Sequence, residues 1–357
     1  MGSCAIQRVK QNAIIKSSTK FHTKKENSPL TPDLNLNFEI CTTETAHLQP
    51  YVNFFFEVKG LIPSSKEEPF SEKPLKFIGN KAKDLCSGEN IGLTCRKGLN
   101  DHMNQDNLTI VSKPPYLFAG VFDGHGDSGH IISEQVCRFL PQILLEDIEM
   151  SVDPIDCIKN SFAKTQDSIK RKCAEINIDC EYSGCTATVI LITQNSMFTC
   201  HLGDSRAVLL KKYQNKLISV PLTTDHKASD PIEKSRILRN GGNIGKIHGT
   251  EIERVFESKD SNQGLAITRA FGDTAFTKIG VVSEPYVKEH RITSDNEFVV
   301  ICSDGVWEFV KNYEVAKVLE VNKSEMAANA LAKLAWNRWI EETQDIVDDI
   351  TVLIIPL

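Results

Sequence analysis

No stretch of the chain approaches the roughly 18 uninterrupted apolar residues that a membrane span needs. The longest apolar clusters, Phe54–Phe56 and Phe298–Cys302, are strand-sized. The N-terminus lacks the charged-then-apolar block closing on small residues that marks a secretory signal. C-x-x-C pairs are missing, and the 11 cysteines are an odd number scattered singly. That excludes a tidy disulfide framework and a ribbon-type zinc site, and reduced thiols in the cytosol are the expectation. Neither a P-loop nor a Rossmann glycine pattern is present, so nothing points to nucleotide binding. No internal repeat recurs at a solenoid period. Positive charge is in short supply: 41 bases against 47 acids give a net charge of −6, and no nucleic-acid partner is expected. What is left, 357 residues with 41% apolar and 25% charged content, is an ordinary globular composition with length for a large core.

The charge is unevenly spread. The first 25 residues hold Arg8, Lys10, Lys16, Lys20, Lys24 and Lys25 and no acid. Residues 1–35 read as a basic, disordered leader. Removal of Met1 would expose Gly2 to a myristoyl chain, although Ile6 stands where that signal usually has Ser or Thr. Cys4 sits where a palmitoyl chain often follows. Stable anchoring takes two signals, and a basic patch adds attraction to an anionic leaflet. The leader is therefore expected to tether a cytoplasmic protein to the cytosolic face of a membrane, with a plain solvated tail as the alternative. Residues 36–87 are punctuated by Pro50, Pro63, Pro69 and Pro74. They read as a linker and N-terminal extension that lays a strand, such as Tyr51–Val58, on the domain behind it.

From residue 88 to 357 the pattern is dense. Tyr116–Phe122, Thr186–Ile192, Met197–Leu202, Ala207–Leu210, Phe298–Cys302 and Ile350–Ile355 are short β-branched or aromatic runs and predict strands. Apolar residues at three- and four-residue spacing predict helices over 128–147, 155–176, 312–320 and 324–340. Ser324 is a candidate N-cap for the last. Helices and strands each come in runs, so an α+β layered architecture is favoured over strict βαβ alternation.

Acids gather at the ends of these runs. Phe118–Phe122 leads into Asp123-Gly124-His125-Gly126, where an aspartate and an inward-facing glycine carbonyl could both meet a cation. Phe298–Cys302 leads into Ser303-Asp304-Gly305. Asp348-Asp349 opens the final strand, and Gln105-Asp106 precedes Leu108-Thr109-Ile110. Each alone is a turn or cap signal. Together they are carboxylates that repel unless a cation lies among them. Oxygen ligands without paired His or Cys favour magnesium or manganese over zinc. His125, beside Asp123, is a candidate general acid. His102, His201 and His226 read as structural.

These motifs, with Ser183–Ala187, His201–Ala207, Thr224–Lys227, Glu233 and Arg236 before Gly241-Gly242, and Leu265–Asp273, stand in one order. That order resembles the metal-dependent serine/threonine protein phosphatases of the 2C type, from about residue 88 to the C-terminus. The resemblance implies a four-layer α-β-β-α sandwich, two antiparallel β-sheets flanked by helix pairs. It implies hydrolysis of phosphoserine and phosphothreonine by attack of a hydroxide bridging two Mg2+ or Mn2+ ions. Asp123 would bridge the ions. The Gly124 carbonyl, Asp304 and Asp348 would complete one shell, and Asp106 would hold bound water. Asp204 and the residue after Trp307 would line a third, weaker site. His125 would protonate the leaving group. Phosphoproteins are the implied partners, and a monomer is expected.

Four positions depart from the family pattern. Gln105 replaces a common Glu. Asp101 stands where a phosphate-holding base is usual, which leaves Arg96 and Lys97 as candidates for that role. Glu308 replaces an Asp at the third site. Cys185 replaces a common Ser and reads as a buried small residue. Gln105 and Asp101 motivate an alternative reading, a catalytically weak or inactive pseudophosphatase that binds phosphoproteins. A small-ester hydrolase is a further possibility that fold alone does not exclude. The insert 243–262 lies between two motifs.

Overall fold

The structure is a computed structural model and describes residues 39–43, 68–78, 91–247, 249–258, 261 and 263–357. Two sheets stack face to face. The first runs in the order β14-β8-β7-β5-β4-β1-β2. Its strands are β1 (Glu39–Thr43), β2 (Leu75–Ile78), β4 (Asp106–Lys113), β5 (Tyr116–His125), β7 (Ala187–Ile192), β8 (Ser196–Leu202) and β14 (Tyr286–Arg291). The second runs β10-β9-β15-β16-β3. Its strands are β3 (Gly92–Arg96), β9 (Arg206–Tyr213), β10 (Lys216–Pro221), β15 (Asn296–Cys302) and β16 (Ile350–Pro356). Every pairing in both sheets is antiparallel.

Side chains alternate across a strand, and the layers follow from that rule. In β5, Ala119 and Val121 face the second sheet, where they meet Ile301 of β15 and Leu353 and Ile355 of β16. Phe118 and Phe122 face the other way, onto α1 (Gly129–Asp147) and α2 (Pro154–Ile176). On the far side, Val300, Cys302, Val352 and Ile354 face α4 (Asn312–Val321) and α5 (Ser324–Thr343). The result is the expected four-layer α-β-β-α sandwich. Phe118 and Phe122 have no solvent exposure, and truncating either to Ala should cost about 3–5 kcal/mol.

Local signals set the helix ends. Asp153 caps α2 by accepting from Ile155 N and Asp156 N, Pro154 opens the helix, and Asn177 ends it in the left-handed region. The expected cap of α5 needs correction. Lys323 holds the N-cap position without a side-chain bond, and Ser324 is the first helical residue. Ser324 packs so closely on Gly92 that a Cβ there would lie 2.0 Å from its carbonyl oxygen.

In chain order between α2 and α4 lies a small lobe. α3 (Pro231–Arg239) packs with the hairpin β11 (Asn243–Lys246) and β12 (Glu253–Phe256) through Ile237, Val255, Leu265 and Phe276. This hairpin is the insert noted in the sequence. The extension reaches the first sheet through β1 and β2; the expected strand Tyr51–Val58 lies outside the described residues.

Candidate metal centre and active site

Both sheets bring strand ends to one edge. β5 ends in Asp123, Gly124 and His125, and Asp106 at the start of β4 is the direct cross-strand partner of Asp123. From the second sheet, Cys302 pairs with Val352, which sets the one-turn helix Asp304–Trp307 beside the Asp348-Asp349 turn. A side chain at Gly305 would put its Cβ 2.0 Å from the Asp349 carbonyl oxygen, so only glycine lets these turns pack backbone to backbone. Asp204 comes from the turn between β8 and β9.

These carboxylates act on one another. Burial, then the charges of Asp304, Asp106, Asp348 and Asp204, pushes the Asp123 carboxyl well above the usual carboxylate range. Asp304 is driven the same way by burial and then by Asp348 and Asp204, while Lys227 and a hydrogen bond with Asp123 oppose the shift. Burial first, and Asp349 next, raises Asp106 from 3.8 to about 7. Lys227 offsets only part of this negative charge, and a hard cation would supply the balance. The donors are carboxylate and main-chain oxygens, the set that suits magnesium or manganese. Among the described residues no three His, Cys, Asp or Glu side chains close into one shell. An ion that keeps several of its own waters needs no such shell.

Asp106 is firmly held. Ser303 Oγ and Thr351 Oγ1 both donate to its Oδ2 at 2.7 Å, and its own amide donates to Asn104 Oδ1 at 2.9 Å. Asp349 straps the approach to β4, accepting from Gly98 N and Gln105 N at 2.7 Å each. The two adjacent acids therefore differ: the charge of Asp348 acts on Asp123 and Asp304, while Asp349 acts on Asp106 and also braces the chain.

His125 lies beside the cluster. Its Nε2 is 2.7 Å from Asp273 Oδ2. Short pairings deliver Asp273: β6 (Gly184–Cys185) pairs with the end of β5 on one side and with β13 (Phe271–Gly272) on the other. Asp273 follows with φ +46 and is buried. Nearby, Lys227 Nζ lies 3.3 Å from Asp204 Oδ2 and 3.5 Å from Asp225 Oδ2. Arg206 grips Asp225 with two bonds of 2.5 and 2.8 Å.

Residues 88–343 match the model of the family "Protein phosphatase 2C". The chain belongs to that family. An Arabidopsis thaliana relative described as probable protein phosphatase 2C 61 is 37% identical over 267 residues, 73% of this chain and 81% of that protein. Probable protein phosphatase 2C 72 of the same plant is 33% identical over 299 residues, covering 75% and 89%. In fold, the chain is similar to the crystal structure of serine-threonine phosphatase 2C from Toxoplasma gondii. That match has a TM-score of 0.65 and 22% identity over 74% of this chain and 94% of that one. As a member of the 2C family the chain is a protein serine/threonine phosphatase, and the family is generally dependent on magnesium or manganese.

The phosphatase brings Asp123, Gly124, Asp304, Asp348, Asp106 and Asp204 to one edge with His125 beside them. Arg96 and Lys97 have other partners. Arg96 pairs with Glu72 at 2.7 Å and donates to Asn329 Oδ1 at 2.7 Å. Lys97 is buried, 3.7 Å from Asp349 Oδ1, and also donates to Asn100 Oδ1. Phosphate recognition is accordingly not assigned to either. Asp101 is exposed. Gln105 donates Nε2 to the Gly126 carbonyl at 2.7 Å. Cys185 is buried, Glu308 closes the one-turn helix with its amide on Asp304 O, and His201 and His226 are buried and stacked at 4.6 Å. Gly2 and Cys4 lie outside the described residues.

Sequence reading gave no role to Asp273, Ser303, Thr351 or Asp349. Asp273, Ser303 and Asp349 stood inside the quoted motifs and Thr351 inside the run Ile350–Ile355, which was the available signal. Glu233 is a further case: its carboxylate binds Arg236 and Arg269, both at 2.6 Å, and Thr268.

Proposed function

We propose that the chain hydrolyses phosphoserine and phosphothreonine in proteins at a centre holding two Mg2+ or Mn2+ ions. Asp123 would contact both ions, the Gly124 carbonyl, Asp304 and Asp348 would hold one of them, and Asp106 would orient water. Asp204, with Glu308, would line a weaker third position, where the Lys227 ammonium already neutralises part of its charge. When bound, such ions lower the pKa of water and offset charge on the phosphoryl oxygens. His125 gives the serine or threonine oxygen the proton it needs to leave. Asp273 fixes the tautomer and orientation of that ring from Nε2.

The reaction needs no covalent phosphoenzyme. Burial pushes the Cys95 thiol up to about 12 and those of Cys185 and Cys302 well above the ordinary value, which suits none of them to nucleophilic attack. The observation that carries the reading is the set of mutually repelling carboxylates beside the His125–Asp273 pair. No observation favours the pseudophosphatase reading, and the acid set that turnover requires is intact. The decisive assay is phosphate release from a phosphothreonine peptide with and without Mn2+. Membrane attachment through Gly2 and Cys4 is a proposal resting on the leader sequence alone. Gly2→Ala should move the protein to the soluble fraction, and unchanged partitioning would contradict it.

A further inference from the structure

Residues 68–74 precede the stretch that matches the family model, yet they reach the proposed metal centre. Main-chain bonds from Phe70 N to Lys97 O (2.9 Å), Lys97 N to Ser71 O (3.0 Å) and Lys73 N to Cys95 O (2.8 Å) pair this segment with the end of β3. Glu72 and Lys73 then project to opposite sides. Glu72 stays at the surface of the pairing, where it accepts from Cys95 N at 3.0 Å and Thr94 Oγ1 at 2.9 Å and pairs with Arg96. Lys73 turns inward and is 5% exposed.

The buried ammonium of Lys73 donates to the main-chain carbonyls of Asn104 at 3.0 Å and Asp106 at 2.7 Å. Gln105, between them, directs its carbonyl elsewhere, to Gly124 N at 3.2 Å and Ser133 Oγ at 2.6 Å. Its amide is held by Asp349. The entry to β4 is thus gripped by Lys73 through two carbonyls and by Gly124 through the third. Asp106 and Gly124 are both residues proposed to serve the ions. A charge is retained in such a place only where groups partner it, and here the partners are the backbone that aims those residues.

We propose that Lys73 is a positioning residue of the metal centre, holding the Asn104 and Asp106 carbonyls so that Asp106 and the Gly124 carbonyl face the ions. The inference rests on the metal-dependent reading above. It makes a segment outside the family match part of the active centre. Lys73→Met keeps the apolar stem and removes the ammonium from both carbonyls, leaving Asp106 O only the weaker Cys95 Sγ donor at 3.7 Å.

The test is calorimetric titration of Mn2+ into the metal-stripped full-length chain, with unfolding midpoints measured on the same samples. Lys73→Met should weaken Mn2+ binding roughly 10-fold or more, as loss of a group that orients ligands does. Its half-saturating Mn2+ in peptide turnover should rise while kcat at saturating Mn2+ is retained. Lys73→Gln keeps a donor, should fall between the two, and serves if Lys73→Met does not fold. Glu72→Gln loosens the same segment without touching Asn104 or Asp106, so it should lower the midpoint and leave Mn2+ affinity unchanged. Wild-type Mn2+ affinity in Lys73→Met would overturn the inference alone, as would an equal loss in Glu72→Gln. A wild-type chain that binds no Mn2+ would overturn the metal-centre reading beneath it.

Discussion

Asp273 holds His125 Nε2 at 2.7 Å across 148 positions of sequence. A carboxylate so placed fixes which ring nitrogen carries the exchangeable proton. If His125 protonates the leaving oxygen, the need for it depends on the leaving group. His125→Gln should lower kcat on a phosphothreonine peptide by about 10²–10⁴ and should do much less to an aryl phosphate, whose phenolate leaves unaided. Asp273→Asn should show the same selectivity with a smaller loss, roughly 10- to 100-fold. Steady-state kinetics on both substrates check this; equal losses would remove the proton-donor role.

The two hydroxyls on Asp106 Oδ2 make a second test. Thr351→Val keeps the shape and removes one donor at 2.7 Å, and Ser303→Ala removes the other. Each should cost about 1–3 kcal/mol of stability and weaken activation by Mn2+ roughly 10-fold. Denaturant unfolding and Mn2+ titration of activity measure the two effects separately.

Much of this architecture was legible in the sequence. The strand read at Tyr116–Phe122 continues in the structure to His125, and the four periodic helices lie within a few residues of their expected bounds. Each of those elements buries an apolar face, which is what periodicity reports. α3 and the β11–β12 hairpin escaped because they are short and bury only a few apolar residues, Ile237, Val255 and Phe256; β14 is largely exposed and carries Lys288, Glu289 and Arg291. The acid cluster was legible because each acid follows or precedes an apolar run. The pairing of His125 with Asp273 was not, since only the short strands β6 and β13 bring them together. Nor does a sequence tell that Arg96 is taken by Glu72.

Acid should destabilise the fold through His201. Burial lowers its pKa from 6.5 to about 4, so the unfolded chain takes up a proton that the folded chain refuses. The stability from the neutral ring is full above pH 6.5 and lost as pH falls through about 4, roughly 3 kcal/mol in all. His226, lowered first by burial and then by His201, acts in the same direction. Asp106, raised to about 7, acts in the opposite one, so the comparison must isolate the histidine. The denaturant midpoint of His201→Gln, followed from pH 8 to pH 5 beside wild type, should fall less steeply. Parallel curves would contradict the assignment.

Glu233 ties Arg236 and Arg269 together at 2.6 Å each. Those bonds hold its carboxyl well below the usual range against the opposing effect of burial. Glu233→Ala would leave two arginines uncompensated in a half-buried site and should cost about 3–5 kcal/mol. Thermal unfolding measures the loss. A variant as stable as wild type would show that solvent replaces the carboxylate.

The most direct test of the central claim is release of phosphate from a phosphothreonine peptide by the purified chain, with and without Mn2+, beside Asp304→Asn. Turnover should require the metal and disappear in the variant, while the folded state survives. Metal-independent turnover, or near-normal activity in Asp304→Asn, would contradict it.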